Sequence, residues 1–120
     1  MKNNYSGCFS ILLFIFFLLV LNVQPAHATK PKSVDLSYDE RTQILSVKID
    51  HYTAAANLHH IEYVEIRKNR ALLSNNEYKN QPADSTFTYT YPLPAAKGDT
   101  VEVTASCNLW GRKTSTLTIP

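Results

Sequence analysis

Between residues 86 and 91 the chain alternates without a break, with Phe87, Tyr89 and Tyr91 pointing one way and Thr86, Thr88 and Thr90 the other. A period of two places successive side chains on opposite faces of a strand and cannot form the apolar stripe of a helix. The same pattern recurs along the chain. Val34, Leu36 and Tyr38 share one face, Leu45, Val47 and Ile49 another, and Val101, Val103 and Ala105 continue into Cys107. Near the end, Ser115, Leu117 and Ile119 oppose Thr114, Thr116 and Thr118. Turn chemistry separates these runs at Asp39-Glu40-Arg41-Thr42, at Asn69-Arg70 and at Lys97-Gly98-Asp99, while Pro92 and Pro94 end the aromatic run. Ala71-Leu72-Leu73 reads as a further short strand, followed by a polar stretch over residues 74–85. Six or seven short strands with no helical period predict an all-β, antiparallel sandwich.

Residues 59–68 are strand-like, but their alternation slips: Ile61 and Tyr63 fall on one face, Val64 and Ile66 on the other. One extra residue, a β-bulge, accounts for such a slip, as does burial on both faces. The preceding residues 50–58 read as a loop, with Ala54-Ala55-Ala56 suited to one helical turn.

The N-terminus has a different character. Lys2 precedes an almost wholly apolar run over residues 9–21, and Ala26-His27-Ala28 supplies a small-x-small cleavage pattern. These features predict a signal peptide over residues 1–28 and one domain over residues 29–120. The apolar run is shorter than the roughly 20 residues of a spanning helix, so retention as an anchor is the lesser alternative. Removing Lys2 from 12 Lys+Arg set against 10 Asp+Glu leaves a net charge of +1, which gives nucleic acid or an anionic membrane no electrostatic purchase. The predicted location is periplasmic or secreted. Cys8 departs with the signal, and Cys107 is then alone. A single cysteine outside the cell points to an intermolecular bridge, a reactive thiol or a metal-held thiolate.

Three segments carry candidate chemistry: Asp50-His51; His59-His60-Ile61-Glu62-Tyr63-Val64-Glu65-Ile66; and Cys107-Asn108-Leu109-Trp110-Gly111. Imidazole and thiolate suit iron, copper or zinc. Adjacent strand residues face opposite ways, so His59 and His60 cannot both enter one site without a bulge. His59 is the expected inward residue and His60 the solvent-facing one. Glu62 and Glu65 fall on opposite faces and make no acid–base pair, and no carboxylate is placed to complete a triad with His51 and Ser115.

These segments resemble the ferrous-iron domain of the desulfoferrodoxin (superoxide reductase) family. That family has a loop histidine, then His-Tyr-Ile-Glu-Trp-Ile-Glu-Leu, and later Cys-Asn-x-His-Gly. The resemblance runs from about Ser33 to the end of the chain. It implies an immunoglobulin-like sandwich of about seven strands. It further implies one mononuclear ferrous iron, superoxide as substrate, and an external electron donor. By position it assigns His51, His59 and Cys107 as metal ligands, with His60 a possible addition through a bulge. The family set is four histidines and one cysteine. Trp110 stands where the fourth histidine would be, and the N-terminal Glu-x-His has no counterpart, since His27 lies in the predicted signal peptide. Trp110 is expected to pack over the end of the sandwich. The competing expectation is a metal-free immunoglobulin-like binding or structural module. Copper is disfavoured, because Met1 is the only methionine and no cysteine-to-histidine loop follows Cys107.

Overall fold

The computed structural model describes residues 30–120, together with Ser10, Ile11, Leu13 and Ile15. The predicted signal peptide and its cleavage point otherwise lie outside the described residues. Seven strands follow in order: β1 (Ser33–Asp39), β2 (Ile44–Asp50), β3 (Ile61–Lys68), β4 (Ala71–Glu77), β5 (Thr86–Pro92), β6 (Thr100–Cys107) and β7 (Arg112–Thr118). They form two antiparallel sheets, β1-β2-β5 and β4-β3-β6-β7. The all-β sandwich expected from the alternation is the observed architecture.

The register explains why. Ile49 pairs with Phe87, Val47 with Tyr89 and Leu45 with Tyr91, so the apolar columns of β2 and β5 lie side by side. On the other sheet Ile66 pairs with Val103 and Val64 with Ala105. These columns face one another and bury Leu45, Val47, Ile49, Val64, Ile66, Val101, Val103 and Ala105. A fully buried aliphatic side chain contributes about 1.5–3 kcal/mol, so this double column dominates stability.

Each open side of the sandwich is closed differently. Between β1 and β7, the Ser115 hydroxyl donates to Val34 O and Lys113 Nζ to Lys32 O. At the β5 side, Tyr78 stacks on Tyr89 with ring centroids 4.2 Å apart, and its hydroxyl lies 2.7 Å from that of Tyr91.

Two local findings refine the sequence reading. The slip in residues 59–68 is a bulge: Ile61 pairs with Cys107 and Tyr63 with Ser106, leaving Glu62 as the extra residue. The bulge lets Ile61 face the core with Val64 and Ile66, and Tyr63 is the residue on the other face. β4 extends to Glu77, further than its apolar start suggested, because backbone pairing with β3 continues through Asn75 and Asn76 whatever their polarity. The β3–β4 hairpin turns on Asn69 and Arg70, both at positive φ (50° and 71°), as a two-residue turn matched to strand twist requires.

Candidate metal centre

The inward column of β2 runs Leu45, Val47, Ile49, and its period carries one step beyond the strand to His51, which is 1% exposed. His51 N donates to Ser85 O at 2.8 Å, extending the pairing with the β5 side and keeping that parity. On the facing sheet, Val101, Val103 and Ala105 lead to Cys107, 7% exposed. Residues 51–60 join the end of β2 to the start of β3, and β6 runs antiparallel to β3. Both inward columns therefore terminate at the same end of the sandwich, where His51 and Cys107 meet from opposite sheets.

The connecting loop delivers the third group. Ala55 O accepts from both Leu58 N and His59 N, each at 2.9 Å, which closes one helical turn close to where the alanines suggested it. Asn108 then clamps the loop to the end of β6. His60 N donates to Asn108 Oδ1 at 2.9 Å, and Asn108 Nδ2 donates to Leu58 O at 3.0 Å. Asn108 N in turn donates to His60 O at 3.0 Å. His59 lies between two residues gripped by one side chain.

One ligand atom from each of His51, His59 and Cys107 lies within 4.8 Å of the other two. The two imidazoles meet edge to face, with centroids 4.7 Å apart and planes at 80°. Nε2 of His51 and Nε2 of His59 are both buried without a hydrogen-bond partner. Buried polar atoms are rarely left so, and each such atom needs an explanation. Burial lowers the His59 pKa, and the neighbouring His51 and then His60 add to that effect. Metal ligands at 2.0–2.3 Å from a shared ion sit about 3–4 Å apart, so a closure of about 1 Å would let the three grip one ion. The arrangement suits a soft or borderline transition metal.

The surroundings of His51 are ordered by Gln81, itself 5% exposed. Gln81 Oε1 lies 2.9 Å from His51 Nδ1 and accepts from Ile61 N at 3.3 Å. Its Nε2 donates to His51 O at 2.9 Å and Ala83 O at 2.8 Å. Nothing in the polar stretch 74–85 sets Gln81 apart from its neighbours, because its importance comes from long-range contacts.

Two expectations change. His60 is not solvent-facing: it is 7% exposed, with Nδ1 buried and unpartnered, and it is not one of the three convergent residues. Its backbone is held against Asn108 on both N–H and C=O, which draws the side chain in. Trp110 does not pack over the sandwich end, being 73% exposed. Cys107 N bonds to Gly111 O at 3.0 Å, making a tight loop whose tip carries Leu109 and Trp110 outward. Gly111 has φ 81°, and a Cβ there would meet Lys30 Cβ at 2.8 Å, so the backbone near Lys30 fills the space beside the loop.

No protein-family model matches the sequence, and no curated protein does. Solved structures of superoxide reductase (neelaredoxin) from Ignicoccus hospitalis do match. A threonine-to-lysine variant is 17% identical, with 80% of this chain and 85% of that one covered at a TM-score of 0.50. The fold is that of superoxide reductase. A glutamate-to-alanine variant (18% identity, 78% and 81% covered, TM-score 0.48) and a further structure (18%, 76% and 79%, 0.47) come from the same organism. At this identity the likeness establishes the architecture, and the chemistry rests on the side chains of this chain.

Among the described residues, His51, His59 and Cys107 form the one group of three or more His, Cys, Asp or Glu side chains placed to hold an ion. The loop that carries Trp110 supplies no fourth protein ligand.

Proposed function

We propose that the chain is a divergent member of the superoxide reductase family, exported from the cytoplasm, that holds one iron through His51, His59 and Cys107. The observation that carries this reading is that His51 and His59 each keep a buried, unpartnered Nε2 while a ring nitrogen of each lies within 4.8 Å of the other and of the buried Cys107 thiol. In a metal-free module, leaving two imidazole nitrogens without partners would cost about 1–3 kcal/mol each with no compensation. Iron bound there would supply one-electron chemistry, by which superoxide with one electron and two protons would become hydrogen peroxide and an external donor would replace the electron.

The chain's own residues do the rest. Gln81 and Asn108 hold the two histidine segments in place. His51, His59 and Cys107 would supply three ligands where the family supplies five, so water or substrate would have to complete the shell. Lys30 and Lys32 line a surface depression with Asp50, His51 and Tyr52, and two lysines against one carboxylate leave a positive balance that favours the approach of a small anion. Export is supported by Lys2, the apolar run over residues 9–21 and Ala26-His27-Ala28.

Stopped-flow mixing of the Fe(II)-loaded protein with superoxide tests the activity. The expected result is superoxide loss with one peroxide formed per iron oxidised, together with a thiolate-to-Fe(III) charge-transfer band that Cys107→Ala lacks. Decay at the spontaneous rate would remove the reductase assignment. Loss of the band alone would remove the thiolate.

A further inference from the structure

A histidine can present a lone pair from either ring nitrogen, and its partner on the other nitrogen decides which. Here that decision can be traced through one side chain. Gln81 Nε2 faces two backbone carbonyls, His51 O at 2.9 Å and Ala83 O at 2.8 Å, neither of which can donate. Reversing the amide would set its oxygen against both carbonyls and its NH₂ against the Ile61 N–H. The amide therefore has one workable orientation, fixed by the hydrogen-bond network. Oε1 must accept, and it accepts from Ile61 N at 3.3 Å and faces His51 Nδ1 at 2.9 Å. An amide oxygen has no proton to give, so the proton in that contact sits on Nδ1. In the neutral ring Nε2, the buried atom with no protein partner, is then left with its lone pair.

We infer that Gln81 is a positioning residue that sets the tautomer of His51, holding its proton on Nδ1 so that Nε2 is ready to bind metal before any metal arrives. Its use for metal capture rests on the iron-site reading above; the tautomer itself does not. Gln81 also ties the His51 segment to the amide of Ile61, the residue opposite Cys107 in the β3–β6 ladder. One buried amide thus links the two sheets at the point where the ligands converge. Partners of this kind beyond the ligands themselves typically change metal affinity 10–100-fold.

Long-range proton–nitrogen correlation NMR on the ¹⁵N-labelled, metal-free chain reads the tautomer directly. The expected spectrum shows His51 Nδ1 as the protonated nitrogen and Nε2 as the bare one. The opposite assignment in the unmodified protein overturns the inference, with no variant needed. Gln81→Leu removes the acceptor, and Gln81→Met does so with closer shape. In either, His51 should shift towards the Nε2–H form, and the Kd for Co(II), used as a spectroscopic probe, should rise by roughly 10–100-fold. A folded variant whose His51 keeps the native tautomer would also overturn the inference. If the unmodified protein shows the expected tautomer and takes up no Co(II), the positioning role stands and the metal-site reading falls.

Discussion

Replacing Asn108 with alanine tests how the loop bearing His59 is held. The side chain makes two bonds to that loop: it accepts from His60 N at 2.9 Å and donates to Leu58 O at 3.0 Å. They are unequal. His60 N is part-buried and would lose its acceptor, which costs about 1–2 kcal/mol once its desolvation is counted. Leu58 is exposed, so water replaces the lost donor at about 0.5 kcal/mol or less. The sum is about 2 kcal/mol. The reverse bond, Asn108 N to His60 O, is backbone-only and survives the substitution. With a urea slope of about 1–2 kcal/mol per M for a small domain, the midpoint should fall by about 1–2 M. Asn108→Asp keeps the acceptor but sets a carboxylate oxygen against the exposed Leu58 O, so part of the stability should return. Hydrogen exchange at the His60 amide should quicken in the alanine variant and stay near native in the aspartate one. A midpoint shift under about 0.3 M for the alanine variant would refute the reasoning. So would an aspartate variant as unstable as the alanine one.

Other expectations follow from the fold. Arg70 sits at φ 71° in a turn that favours glycine, so Arg70→Gly should raise stability by about 1 kcal/mol in thermal or chemical unfolding. Ile61 is fully buried opposite Cys107, and Ile61→Ala should cost about 2–5 kcal/mol in the same assays. Burial, and then the neighbouring Tyr78, push the Tyr89 pKa up from 10.0 to about 12. Its neutral form therefore stabilises the fold fully below pH 10, and that contribution is lost as pH rises from 10 towards 12. Tyr89→Phe should flatten the alkaline decline in stability measured by denaturant titration across that range.

Much of the architecture could be read from local alternation. The columns Leu45-Val47-Ile49 and Val101-Val103-Ala105 are period-two runs, and extending each by one step reaches His51 and Cys107, the two groups that meet between the sheets. Residues at the ends of inward columns inherit their direction, so a local rule predicts a long-range meeting. The slip in residues 59–68 was legible as either a bulge or burial on both faces, and the register places a bulge between Ile61 and Tyr63. What remained hidden depends on partners distant in sequence. Gln81 sits in a polar stretch and acquires its role from His51 and Ile61, 30 and 20 residues away. His60 is buried because Asn108, 48 residues on, holds its backbone. Trp110 faces outward at the tip of a loop closed by the bond from Cys107 N to Gly111 O, and Gly111 itself is packed against Lys30, 81 residues earlier. The signals for hydrophobic burial are periodic; those for polar satisfaction are not.

The most direct test of the central claim is the iron content of the purified protein reconstituted anaerobically with Fe(II), measured beside Cys107→Ala and His51→Ala. The expected result is about one iron per chain in the unmodified protein and far less in either variant, since each removes one of the three residues proposed to hold it. Substoichiometric iron in all three proteins would contradict it, and the convergent imidazoles and thiol would then need another explanation.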